Sequence, residues 1–144
     1  MAEDPHVADL MLAAHRHVEI CLLKAIADAG FADITIAQTR LMQRLGTGGM
    51  RLTDMAEQAR VTKQTAGALV DQLEQAGYVE RRPDPSDARA RLVTLSDRGA
   101  QVCRLAGTEI SRVEDEWREY LGDSTFTALR DALVRLGEIT DPPA

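Results

Sequence analysis

The stretch that most constrains the fold runs from residue 52 to 98, LTDMAEQARVTKQTAGALVDQLEQAGYVERRPDPSDARARLVTLSDR. Its apolar residues recur at helical spacing, then at every second position, then at helical spacing again. Thr53 is placed to cap a first helix, with Asp54 in the first turn, where a carboxylate suits the helix dipole. Met55, Ala56 and Ala59 give that helix an apolar side, and Val61 is expected to enter the core across the turn. Thr62 caps a second helix whose inner side is Ala66, Leu69, Val70 and Leu73. Lys63, Gln64, Gly67, Ala68 and Asp71 fall on the other face, with Thr65 at its edge, and Gly77 stops the helix. Tyr78–Arg82 and Arg91–Leu95 alternate as two paired strands. Pro83–Arg89 between them is turn-rich and reads as too long for a two-residue hairpin turn. Two helices, a hairpin and the start of a further helix make a winged helix-turn-helix, an arrangement that reads DNA.

The chemistry of this stretch suits a duplex. The start of the second helix offers a cation, an amide and a hydroxyl, in Lys63, Gln64 and Thr65, beside its cap Thr62. Such groups hydrogen-bond to base edges and phosphates. The wing gathers Arg81, Arg82, Arg89 and Arg91, a cationic tip suited to a narrow minor groove. Asp87 can pair with Arg89 or with the opposite base of the wing. Arg51, with Thr53 beside it, is placed to touch a phosphate, and Met50–Leu52 reads as a short third strand. Gly67 admits two readings. A helix without a side chain there can lie close to a groove, or the glycine is tolerated surface variation at about 1 kcal/mol against alanine. Asp71 on the same face would repel phosphate and is expected to point along the groove or away from it.

The run TKQTAGALVDQLEQAGYVERRPDPSDARARLVTLSDRG resembles the DNA-binding lobe of the MarR family of transcriptional regulators. The wing signature Asp87-Ala88-Arg89 and the helix start Leu95-Ser96 carry the resemblance, and Thr35-Ile36-Ala37-Gln38 matches the start of that family's second helix. The flanking helices match in order and length. The resemblance implies a homodimer, Arg89 entering a minor groove, and Lys63, Gln64 and Thr65 facing the major groove. It also implies a small, often phenolic or otherwise lipophilic effector in the cleft where the end helices meet the central lobe. His15, His17, Arg40 and Met42 are the candidate cleft residues. The redox cysteine known in this family stands near the start of the first helix, and Cys21 lies well inside that helix.

The rest of the chain fits a mainly α subunit with a small β-hairpin wing. Its 144 residues make one domain, with end helices over 5–30 and 100–140 for dimerisation and the DNA-binding lobe over 31–99. Pro5–Ala29 carries an apolar stripe of Val7, Leu10, Met11, Ala14, Val18, Cys21, Leu22, Ala25 and Ile26, which wants a partner surface. Thr35 and Gln38 form a capping box for a helix over 36–45, with Leu41, Met42 and Leu45 inward. Ser96 caps a long helix bearing Cys103, Ala106, Ile110, Val113, Trp117, Tyr120 and Leu121. Gly122 ends it. Asp123 or Ser124 is expected to cap the last helix, with Phe126, Leu129, Leu133 and Leu136 inward. Trp117 reads as an interface anchor or core residue.

Charge and composition narrow the functions. The net charge is −6, but residues 51–104 hold nine Lys or Arg and eight Asp or Glu, a net of +1. A short, salt-sensitive footprint follows. The acidic total also fits a winged helix that binds protein instead of DNA, a reading that the Lys63–Thr65 turn and Arg89 oppose. No nucleophile motif or metal-ligand spacing is present. Gly46-Thr47-Gly48-Gly49 lacks the lysine of a phosphate loop, so neither an enzyme nor a bound cofactor or metal is expected. His15 and His17, two apart, cannot share a helix face. Cys21 and Cys103 read as small core groups. No apolar run reaches membrane-spanning length, and the acidic N-terminus lacks the cations of a secretory signal. A cytoplasmic regulator of a pseudo-palindromic double-stranded operator, a repressor released by its effector, is the expectation.

Overall fold

The computed structural model describes residues 3–46 and 48–141. Thr47, in the glycine-rich loop, lies outside them. The chain runs α1 (Val7–Asp28), α2 (Ile36–Leu45), β1 (Met50–Arg51), α3 (Leu52–Ala59), α4 (Lys63–Gln75), β2 (Val79–Asp84), β3 (Asp87–Leu95), α5 (Asp97–Leu121) and α6 (Asp123–Thr140). The three strands form one antiparallel sheet in the order β1-β3-β2. The fold is therefore mainly helical with a small winged sheet.

Side-chain caps set the starts of α2, α4 and α5. The Thr35 hydroxyl accepts from the Gln38 amide at 3.2 Å, and the Gln38 side chain accepts from the Thr35 amide at 3.0 Å, a full capping box. Thr62 caps α4 through the Thr65 amide, and Ser96 caps α5 through the Gly99 amide. The core lies where these helices meet the sheet. Leu22 and Ile26 of α1 pack with Leu41, Met42 and Leu45 of α2, Met55 of α3, Val70 and Leu73 of α4, and Tyr78, Val79, Val93 and Val102. Burying such side chains stabilises the fold by about 1.5–3 kcal/mol each.

Four local expectations are corrected. Thr53 does not cap α3. The helix starts at Leu52, directly after the strand residue Arg51, so Thr53 sits in the first turn and no side chain caps that end. Val61 is 37% exposed and does not enter the core. Arg60 takes a left-handed conformation (φ 55°), and the Val61 amide then closes back on the Ala56 carbonyl. That closure holds Val61 on the surface at the helix end. Neither Asp123 nor Ser124 caps α6. Gly122 holds the cap position at φ 85°, and Asp123 is already in the first turn. Leu129, Leu133 and Leu136 are 41%, 44% and 39% exposed, because α6 packs within the subunit chiefly against α5. Only Phe126 of that set is buried.

The wing also differs from its reading. β2 reaches Asp84 and β3 begins at Asp87, so the connection is Pro85–Ser86 alone. Pro83 pairs with Arg91 inside the ladder, which is possible because β2 is an edge strand and proline's missing N–H costs no central hydrogen bond. The register then jumps from Pro83↔Arg91 to Asp84↔Asp87, and Ala88–Ala90 bulge out of the pairing.

Candidate nucleic-acid interface

The start of α4 stands free. Lys63, Gln64, Thr65 and Ala68 are exposed, and Gly67 is half-buried. Ala66, Val70 and Leu73 on the reverse side are fully buried, which fixes the rotation of the helix. The Thr62 hydroxyl donates to the Thr65 hydroxyl at 2.9 Å and so orients it. An added Cβ at Gly67 would meet only the Leu52 side chain, at 3.7 Å. Nothing inside the subunit requires a glycine there.

The arginines of this surface divide into two groups. Arg81 is three-quarters covered and bridges Asp71 at 2.7 Å and Glu74 at 2.8 Å. Asp71 thus points towards the base of the wing, paired with Arg81. Arg82 pairs with Glu80 at 2.7 Å. Arg51 pairs with Asp84, Nη2 at 2.6 Å and Nε at 2.8 Å. Lys63, Arg89 and Arg91 have no acidic partner among the described residues. They are the cations that remain available to an outside anion.

Asp84, which the sequence did not single out, organises the wing tip. It is 8% exposed. Besides Arg51 it accepts from the Ser86 amide at 2.9 Å and the Ser86 hydroxyl at 2.8 Å. The Ser86 donors first, and then Arg51, hold its carboxyl below the usual range. Asp87 accepts from the Arg89 amide at 3.0 Å and lies 4.0 Å from Arg51. It therefore shapes the loop through Arg89's backbone. The Asp-Pro-Ser-Asp spelling of the turn was the available signal.

A second unforeseen cluster ties the wing to the helices. Tyr78, fully buried, donates to Asp33, and Arg98 donates to the Tyr78 oxygen at 3.0 Å. The Arg98 guanidinium lies 4.6 Å from the Tyr78 ring centre and 5.4 Å from that of Phe31. Burial, together with Asp33, raises the phenol's pKa. Ser96 caps α5 and also donates to the Gly77 carbonyl.

Of the four residues named for a ligand cleft, His15 and Arg40 meet on one carboxylate, and His17 and Met42 lie apart from them. Arg40 is held by the buried Glu19 of α1, with Nε at 2.7 Å and Nη2 at 2.8 Å. The Arg40 hydrogen bond draws the Glu19 carboxyl down. His15 approaches the same carboxylate at 3.5 Å, and His17 reaches Cys21 Sγ at 3.6 Å. Met42 is buried elsewhere, against a cleft of about 230 Å³ between α2, the end of β3 and α5. Leu95, Cys103, Ala106 and Ile110 line it too, and burial raises the Cys103 thiol. A larger apolar cleft, about 550 Å³, opens between α1, α5 and α6; the candidate His15 lines it, with Leu10, Met11, Val18, Trp117 and Leu133 among others.

Known proteins share this fold. The family model described as MarR family matches residues 34–90. The HTH-type transcriptional regulator FarR of Neisseria gonorrhoeae is 30% identical over 111 residues, 76% of each chain. The crystal structure of RV1404 from Mycobacterium tuberculosis superposes with a TM-score of 0.74 at 26% identity, covering 98% of this chain and 99% of that one. Streptococcus pneumoniae FabT, solved in complex with DNA, gives 0.78 at 17% identity over 92% and 93% of the two chains, a likeness of fold. The chain belongs to the MarR family of transcriptional regulators, a family of regulators and not of enzymes. Among the described residues no helix is long and apolar enough to cross a membrane.

Proposed function

We propose that this chain works as a homodimer that binds a pseudo-palindromic operator in double-stranded DNA and represses from it until a small lipophilic effector binds. The observation that carries the reading is the exposed trio Lys63, Gln64 and Thr65 together with Arg89 and Arg91 of the adjoining wing, exposed and without an acidic partner among the described residues. In the dimer two such helices enter successive major grooves about 34 Å apart, and each Arg89 enters a minor groove. Thr53, Thr62, Gly67 and Ala68 complete the surface, while Arg51, Arg81 and Arg82 support it through their acidic partners. The second copy covers the apolar face of α1, α5 and α6. The effector takes the cleft beside Met42, where a change of packing tilts the lobes and shifts the DNA-competent population.

Two measurements test this. Fluorescence anisotropy on DNA from upstream of the chain's own gene should show Arg89→Ala weakening binding by about 1–3 kcal/mol, the scale of a lost charge-assisted contact. Arg82→Ala, whose charge Glu80 already occupies, should change affinity far less. Equal effects would remove the distinction between free and paired arginines. Sedimentation should show a dimer that Leu129→Glu with Leu133→Glu converts to folded monomer with weakened operator binding. A monomeric parent that still binds a palindrome at full strength would end the dimer reading.

A further inference from the structure

A groove of about 310 Å³ lies between the start of α4 and the wing. Its apolar floor is Leu52, Val93 and Ala90, and its rim carries Arg51, Lys63, Arg81, Arg91 and the Thr53 hydroxyl. No carboxylate residue lines it. Arg51 and Arg81 are fixed by Asp84 and by Asp71 and Glu74, so they hold their positions without a ligand. Lys63 and Arg91 come from different elements, face the same hollow, and have no acidic partner among the described residues. Cations gathered around one hollow repel each other unless an anion joins them. On the DNA-binding reading, the two free ones stand between the major-groove helix and the minor-groove wing.

We propose that this groove seats one backbone phosphate per subunit, held jointly by Lys63 and Arg91, with Thr53 as a further donor. The inference rests on the DNA-binding reading and deepens it. Lys63 then positions the helix, and base reading falls to its neighbour Gln64. Arg51 and Arg81, held by their acidic partners, contribute by keeping the groove open.

The salt dependence of binding tests it, because each phosphate contact contributes about 0.9 to the slope of log K against log salt. Lys63→Ala and Arg91→Ala should each weaken operator and scrambled duplex alike, roughly tenfold at low salt, with unchanged melting temperatures. The double variant should lose about 0.9 of slope per subunit, one phosphate's share. A loss of about 1.8 per subunit would mean two separate phosphates and overturn the proposal. A methylphosphonate scan should find a single linkage per half-site whose neutralisation abolishes the effect of both substitutions. Altered base preference in Lys63→Ala would also overturn it. If the parent chain binds no duplex at low salt, the DNA-binding reading itself fails, which is a different result from either.

Discussion

The central lobe and the terminal helices treat apolar side chains in opposite ways. From α2 to β3, Leu41, Met42, Leu45, Met55, Val70, Leu73, Val79 and Val93 are at most 3% exposed. On α1, α5 and α6, Leu10, Leu12, Ile20, Tyr120, Leu133, Val134 and Ile139 stand between 44% and 90% exposed. Val61 alone represents the lobe among the large exposed apolar residues described. Some ion pairs follow the same contrast: Arg51–Asp84 and Arg81–Asp71 join different elements of the lobe, whereas Arg112 binds Glu109 and Glu116 on its own helix. The lobe completes its core within one chain. The terminal helices keep an apolar face that the chain itself leaves exposed, and each exposed leucine forgoes about 1.5–3 kcal/mol of burial there.

The sharpest way to break this contrast uses two glycines of one helix. At Gly99, where α5 leaves the lobe, an added Cβ would lie 2.0 Å from the Tyr78 carbonyl oxygen. That oxygen already accepts from the Ser96 amide, so the backbone has no room to retreat. Gly99→Ala should cost about 3 kcal/mol or more, the upper range for overpacking. At Gly107, two turns on, nothing lies within 4 Å. Gly107→Ala should gain up to about 1 kcal/mol from helix propensity. Urea unfolding of both variants decides the matter. Equal changes would mean that the lobe is no more tightly packed at its edge than the terminal helices are.

What the sequence made legible follows the range of the interaction concerned. Thr35 with Gln38, Thr62 and Ser96 act on amides three residues away, and each stands where its spelling put it. The inner side of α4 was readable because a helix repeats its facing every turn. Arg60 was not readable, since a left-handed cap usually spells glycine and here it does not. Pro83 misled for a related reason. A proline argues against a strand unless the strand is an edge, and edge position belongs to the sheet as a whole. Asp84, Glu19 and Tyr78 escaped notice because their partners, Arg51, Arg40 and Asp33, lie far off in sequence. The exposure of Leu129, Leu133 and Leu136 escaped because periodicity shows that a face is apolar and not which molecule covers it.

A smaller effect concerns Asp84, the lobe's long-range acid. Its folded-state pKa lies below its unfolded value, chiefly through the Ser86 donors. The sign follows from linkage. Its contribution is fully present above the unfolded value and is lost as pH falls through the folded one. Asp84→Asn should therefore melt below the parent near neutral pH, and the gap should close in acid, below the ordinary carboxylate range. Thermal melts across that window provide the check. A gap that stays constant with pH would mean that shape at this position matters and charge does not. Substituting Arg112 at neutral pH supplies the contrast. Its partners lie on its own helix, one turn away on either side, so its loss should lower the melting temperature less than that of Asp84.

The smallest expected change in stability carries the most information about function. Gly67 lies on the outward side of a helix whose other side is closed, and a Cβ there meets Leu52 at an ordinary contact distance of 3.7 Å. Gly67→Ala should therefore stabilise the free chain by up to about 1 kcal/mol. The two readings of this glycine part company only on DNA. If it is tolerated surface variation, the alanine variant binds operator as well as the parent does, and melts higher. If the helix must lie against the groove at that point, the added methyl meets a base edge or sugar, and affinity falls while stability rises. Opposite signs in the two assays would separate the lobe's folding requirements from its contact requirements at a single carbon atom. A loss of stability would instead show that the outer side of α4 is not the open surface described above.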